Sequence, residues 1–599
     1  MKKNRKVLMM GVWMALFIAV FAYCQLFLSF NYPFVEQFTF FRFSGEYALS
    51  TLNEPGGVAA YIASFLSQFY LYPVVGPFIT AVLVVLCTAL LELSLKKLSP
   101  RYYIPFLSAL PALACIWLET DFNYYLSGTV SLVLAMACFW LYVSAKAMGT
   151  VCRRTVILML CSWPLYYALG PNALLLVGIC VIAELKKSDK CSWLSLLALP
   201  VAVVCPLSLY HLGIGQDLQF QLLPTGYYIV LLPASILCYF PWIASLLNVS
   251  VAKIGFSSSA SSDSEKYSKW NRFCQSAWMV VFQFIAIVVV MHWGVQQYNS
   301  SKNYEVKVFD YYSRKGQWKE LLSDEHLRAH QNFMHTCYQN LALSSLNLMG
   351  DKMFAFPQIG YPGMFVKWNK TVNVSTLLAD VYWQVGSVAL AQEMAFEGMI
   401  ASRDGVNPRL LMRLVQTNLV SGNYPVAEKY INLLADSYNY AEQAEKFRTM
   451  LYQDERVLAD AELGPRKKAM KADGLTTTEA VVKDLELIME NNPDFAPAMH
   501  YYGCLCLFLK DMTAFTNFIE KYHQSPALAK MPVHFQEAVV SVYESTPHRW
   551  DELGVTPAVI QRYEAYRQAF IRHRGSPMLA RTMAADFQDT FWYHFMFRK

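Results

Sequence analysis

The sequence predicts an all-α protein in two parts: a polytopic bundle of about nine transmembrane helices over residues 1–298, then a tetratricopeptide-like α-solenoid over 299–599. Three observations predict it. Hydrophobic residues make up 55% of the 599 and charged residues only 16%, a balance too apolar for a purely soluble chain of this length. The apolar residues gather into runs of near-spanning length before residue 298 and thin out after it. Beyond that point glycines recur at a nearly constant interval, as they do between stacked helix pairs.

Lys2, Lys3, Arg5 and Lys6 precede an apolar run over 7–28 that has no small-residue cleavage site, so it is expected to stay as the first span. Tyr23, where a small residue is needed, argues against lipid attachment at Cys24. Further spans are expected near 72–93, 103–118, 126–145, 156–169, 173–185, 193–211, 227–247 and 276–295. Only Gly170-Pro171-Asn172 separates the fifth from the sixth, which form either a tight hairpin or a partly re-entrant pair. The last run, Ser276–Val295, divides the chain. A Ser-rich stretch before it, residues 256–269, reads as a flexible linker.

Loop charge gives this arrangement a direction. When connections are assigned alternately to two sides, residues 1–6, 95–101, 146–154, 186–191 and 249–274 hold 17 Lys and Arg; residues 31–71, 119–125, 170–172 and 212–226 hold Arg42 alone. Basic loops stay in the cytoplasm, so the N-terminus is expected inside and the C-terminal half outside. The net charge of +6 divides accordingly, +7 in residues 1–300 and −1 in 301–599. A neutral second half has no electrostatic footprint for nucleic acid. The 14 cysteines lie mostly in apolar segments, and only Cys337, Cys504 and Cys506 fall in the second half, which implies no disulfide framework.

In that half Gly316, Gly350, Gly386 and Gly422 stand 34, 36 and 36 residues apart, each after an apolar helix end. Ala391 and Ala427, five residues past the last two, are the small residues that let one helix approach its neighbour. Asn492–Tyr522 reads as a further pair. After Gly350 the pattern breaks at residues 357–371, where two Pro and two Gly exclude a continuous helix. Such an insertion either carries contacts or packs as a plain surface loop.

Candidate chemistry gathers in the outer loops. Residues 31–72 are dense in aromatics and include an amphipathic helix, VAAYIASFLSQFY, suited to a bilayer surface. Glu36 follows the first span by eight residues, and Glu119 and Asp121 lie in the second outer loop. Acids so placed are candidates for a general base or a metal ligand acting on a polyprenyl-phosphate-linked sugar. Solvated loop acids of no catalytic role have the same appearance. Asn172, Gln216, Asp217 and Gln219 are the other polar residues of note on that side. The spans lack internal Asp, Glu, Lys and Arg except at their ends, against an ion pathway, and no phosphate-binding loop or dinucleotide fingerprint occurs. His326 and His330 have zinc-compatible spacing without a third ligand, as surface histidines also do.

VEQF at 35–38, EPGGVAAYIASFLSQFYLYPVVGPFITAVL at 54–83 and ALGPNALLL at 168–176, with the repeat-like tail, resemble an uncharacterised family of large multi-pass membrane proteins common in Bacteroidales. The resemblance implies a Gram-negative inner membrane, and with the loop charges this makes the outer C-terminal domain periplasmic. It implies no activity, cofactor or site residue. The expected function is a scaffold or partner-binding component of cell-envelope biogenesis, with the lipid bilayer and a protein as partners. The alternative is a membrane glycosyltransferase using a lipid-linked sugar, its site formed by Glu36, Glu119 and Asp121 in the outer loops.

Overall fold

The computed structural model describes residues 2–99, 106–145, 150–185, 190–214, 221–224, 238–257, 273, 276–299, 301–325, 332–402, 405–470 and 481–598. The chain divides into two compact units, Met1–Tyr304 and Glu305–Lys599. Among the described residues all regular structure is helical. Gln216, Asp217, Gln219, His326, His330 and most of the Ser-rich linker lie outside them.

Among the described residues of the first unit, five helices are long and apolar enough to cross a membrane: Met9–Phe27, Val75–Leu98, Ser127–Ser144, Leu194–His211 and Trp278–Gln297. This replaces the nine spans expected. The runs at 103–118 and 173–185 form only the shorter helices Leu107–Glu119 and Asn172–Glu184, the latter of 13 residues, which rise about 20 Å against a hydrocarbon core of about 30 Å. The run at 156–169 sits in Val151–Leu169, which has Arg153 and Arg154 in its first turn and Pro164 inside. For 227–247 the described helix begins only at Phe240.

The short helices are apolar for a different reason. Residues Pro111–Leu118 are all buried, as are most of Asn172–Glu184. A helix hydrophobic on every side belongs in the interior, so their composition serves the bundle core. The last long helix, Ala277–Tyr298, behaves oppositely: Trp278, Phe282, Ile285, Val289 and Trp293 form one exposed stripe, with Trp278 at 87%. An apolar face of that extent is suited to lipid, with a tryptophan near each end at headgroup depth. Its inner face meets the short helix Leu110–Glu119 at Gly294, where a Cβ would lie 2.1 Å from the Trp117 ring.

The second unit is built of helix pairs with a common turn. Ser301–Arg314 is followed by Trp318–Ser323, Phe333–Ser345 by Met349–Lys352, Val372–Gln384 by Val388–Ala401, Pro408–Ser421 by Tyr424–Ala435, and Ala496–Leu509 by Met512–Tyr522. In each turn one residue takes positive φ, namely Gly316, Asn347, Gly386, Gly422 and Lys510. The next residue's N–H donates to the carbonyl five positions back: Gln317 to Tyr312 (2.8 Å), Leu348 to Leu343 (2.8 Å), Ser387 to Tyr382 (2.9 Å), Asn423 to Asn418 (2.9 Å) and Asp511 to Cys506 (2.9 Å). This is the Schellman closure, which satisfies carbonyls that a helix end leaves open.

Gly350 departs from the expected role. The turn there is made at Asn347, and Gly350 lies inside the next helix, where a Cβ would meet the Pro532 ring at 2.5 Å. The later helices fold back here. Val533 N–H donates to Asp351 (2.7 Å), and His534 Nε2 accepts from the Phe354 N–H (3.3 Å). The other His534 nitrogen meets Glu537 at 2.9 Å, and Glu537 also accepts from the Phe591 N–H at 2.8 Å. Both His534 nitrogens are therefore engaged in holding this junction.

A chain of buried charge runs across the first helices of successive pairs. Arg409 donates to Asp310 and Asp380, both at 2.5 Å, and Arg413 donates to Asp380 at 2.8 Å. Burial alone would raise the Asp380 carboxyl, but the two guanidiniums hold it below the usual carboxylate range.

Candidate functional site

The polar groups of the first unit separate to its two ends. Val75–Leu98, Ser127–Ser144 and Asn172–Glu184 all start at the same end: Thr80 and Thr129 both donate to Glu119, and Asn172 Nδ2 donates to the Gly128 carbonyl at 3.4 Å. Their far ends collect the basic side chains. There Glu92 accepts from Trp13 (2.8 Å) and Lys96 (2.5 Å), Arg154 grips Glu184 through Nε (3.2 Å) and Nη2 (2.8 Å), and Lys253 donates to the Ala183 carbonyl at 2.5 Å. Each of those acids has a cation. At the opposite end the acids Glu36, Glu119 and Asp121 occur.

Glu119 is the most developed of the three. It ends the helix Leu110–Glu119 and is partly exposed, with Thr129 Oγ1 2.6 Å from Oε1 and Thr80 Oγ1 3.4 Å from Oε2. Asn31 Nδ2 reaches its backbone carbonyl at 2.9 Å, which ties the first outer loop to the same point. Next in the chain, the Tyr32 ring meets Tyr70 edge-on at 5.0 Å and lies against Gly76 so closely that a Cβ there would sit 2.4 Å away. No Lys, Arg or His pairs with Glu119 among the described residues. The arrangement is a carboxylate supplied with hydroxyl donors and left without a counter-ion.

Glu36 and Asp121, the other two candidates, lie in neighbouring segments. Glu36 is buried in the short helix Asn31–Glu36, and its carbonyl accepts from Thr39. Asp121 Oδ1 accepts from the N–H of Asn123 at 2.9 Å, bracing its own turn. Among the described residues no three His, Cys, Asp or Glu side chains group as a metal ion needs. Thr80 and Thr129 were not legible as partners, because each opens an apolar helix and nothing in its spacing points to Glu119.

The second unit holds a groove of about 640 Å³ where the interrupted pair lies. Residues 353–363 carry only short 3-10 turns, Met353–Ala355 and Tyr361–Gly363, so the second helix of that pair is replaced by irregular chain. The groove floor is an aromatic stack: the His594 ring lies between Phe354 (4.6 Å, 24°) and Phe508 (5.1 Å, 27°). Burial pushes the His594 imidazole down to about 4, against the pull of the Phe508 carbonyl 3.3 Å from Nε2. The ring is neutral in the fold and protonates near 6.5 once unfolded, so its share of stability is complete above 6.5 and lost as pH falls toward 4. That share is at most about 3 kcal/mol. Thermal melts from pH 7.5 to 4 are expected to fall less steeply for His594→Phe, which keeps the stack; parallel curves would show that His594 does not contribute.

A family model described as "Family of unknown function (DUF6057)" matches residues 3–598. The chain belongs to this family. The match spans both units, so the apolar bundle and the helix pairs belong to a single family pattern. No curated protein and no solved structure matches the chain.

Proposed function

We propose that this family member is an inner-membrane protein of the cell envelope that holds a partner protein on its tetratricopeptide-like helical unit. The observation that carries this reading is the groove of the second unit, formed where irregular chain replaces a helix of the repeated pattern. Concave surfaces beside stacked helix pairs are suited to polypeptide ligands. An orientation with the N-terminus in the cytoplasm is supported by Lys2, Lys3, Arg5 and Lys6 before the first long helix against Arg42 alone between it and the second. The gathering of Lys96, Arg154 and Lys253 at one end of the bundle favours the same direction. On this reading the N-terminus is cytoplasmic and residues 305–599 lie in the periplasm, as the distribution of loop charge supports.

A second reading, transfer of a sugar from a polyprenyl-phosphate carrier, draws on one observation: the Glu119 carboxylate is met by the Thr80 and Thr129 hydroxyls and by no cationic partner among the described residues. Against it, Asp121 is turned into its own loop and Glu36 is buried in another helix. One experiment separates the readings. The full-length chain and Glu119→Gln are cross-linked in intact cells, the adducts identified, and surface glycans profiled in parallel. A stoichiometric protein adduct kept by Glu119→Gln, with unaltered glycans, is expected. Altered glycans without a protein adduct would replace the partner reading by the transferase one.

A further inference from the structure

We infer that the groove beside residues 354–358 receives an extended peptide segment of the partner, with a basic and an acidic side chain flanking an apolar one. This deepens the partner-binding reading and rests on it. The first support is backbone chemistry. Phe356 is extended (φ −111°, ψ 153°), and residues 357–359 continue outside any helix. The N–H of Gln358, which lines the groove, makes no hydrogen bond among the described residues. An irregular, extended wall with an unused N–H is what an added strand of peptide pairs with.

The second support is charge. Asp589, on the opposite wall, is held by Arg562 at 2.7 Å and is already neutralised. Asp586 and Arg598 also line the groove, and neither has an ion pair among the described residues; the Arg598 guanidinium only rests 5.9 Å over the Tyr593 ring. Both are exposed to solvent on the groove, where one carboxylate and one guanidinium are complementary to a ligand with a cation and an anion. The Phe354–His594–Phe508 stack lines the same groove and offers it an aromatic floor. The volume, about 640 Å³, lies within the range of about 300–1,000 Å³ typical of ligand pockets and admits a few residues, not a folded domain.

The test uses the full-length chain in detergent and a phage-displayed library of random heptapeptides as probe. Ala585, exposed on the groove wall, is changed to Trp to fill the groove, and unchanged melting curves establish that each variant folds. At least tenfold enrichment on the native chain over Ala585→Trp is expected, in sequences that place Lys or Arg and Asp or Glu around an apolar residue. Asp586→Lys is expected to exchange the basic position for an acidic one, and Arg598→Glu to do the reverse. Equal enrichment on Ala585→Trp, no enrichment on the native chain, or selected charges indifferent to both reversals overturns the inference. If the cross-linked partner is still held by Asp586→Lys and Arg598→Glu, the inference fails while the partner reading stands; loss of any protein adduct from the native chain removes both.

Discussion

Arg409→Ala is expected to destabilise the helical unit by about 3–5 kcal/mol, the range measured when one partner of a buried ion pair is removed. Arg409 joins the first helices of three pairs: it rises from Pro408–Ser421 and donates to Asp310 on Ser301–Arg314 and Asp380 on Val372–Gln384. Without it Asp310 loses a 2.5 Å charged contact and Asp380 loses another, though Asp380 keeps Arg413 at 2.8 Å and Asp310 still accepts from the Tyr338 hydroxyl at 3.1 Å. The loss is expected to weaken the tie between Ser301–Arg314 and Pro408–Ser421. Replacing both charges, as Arg409→Met with Asp310→Leu, is expected to recover most of it, because apolar residues of similar volume often match a buried pair. The urea midpoint of the full chain, followed by tryptophan fluorescence, reads both effects. A single substitution that shifts it by less than about 1 kcal/mol would show that the pair is solvated in practice.

Much of this fold could be read from the chain, and the places where reading failed share a cause. Ser276–Val295 was legible as a run long and apolar enough to cross a membrane because its exposed face is hydrophobic along its whole length. The runs at 103–118 and 173–185 were equally apolar yet form short interior helices, since hydropathy measures removal from water and not what replaces the water. The turns at Gly316, Gly386 and Gly422 were legible because positive φ favours glycine; Lys510 makes the same turn, and no composition rule would select it. Of the candidate site, Glu119 could be picked out by its loop position. Its partners could not, because Thr80 and Thr129 stand 39 and 10 residues away and are brought together only by helix packing. The groove had a sequence signal, the two Pro and two Gly near 357–363, but its far wall comes from residues 584–589, which no local pattern connects to it.

Gly294→Leu is expected to be the most damaging single change in the first unit. The Trp117 ring occupies the space a side chain would need, with three ring atoms within 2.3 Å of an ideal Cβ, so even Ala must displace it. Trp117 has little freedom to move: its Nε1 donates to the Met291 carbonyl at 3.1 Å, and its ring packs on Phe240 at 5.2 Å and edge-on to Trp293 at 6.5 Å. Overpacking of a filled core costs about 1–3 kcal/mol, and loss of the indole hydrogen bond adds about 1 kcal/mol. The consequence reaches the candidate site, because Trp117 lies two residues before Glu119 on one short helix and its displacement draws Glu119 away from Thr80 and Thr129. Trp117→Ala combined with Gly294→Leu separates the steric term from the rest: the leucine then fills space the indole has vacated, and the double variant should melt above the sum of the two single losses. Melting of the purified chain in detergent measures all three. If Gly294→Leu melts with the native chain, the helix Ala277–Tyr298 does not pack on Leu110–Glu119 through this contact, and the placement of Glu119 has to be explained by Asn31, Thr80 and Thr129 alone.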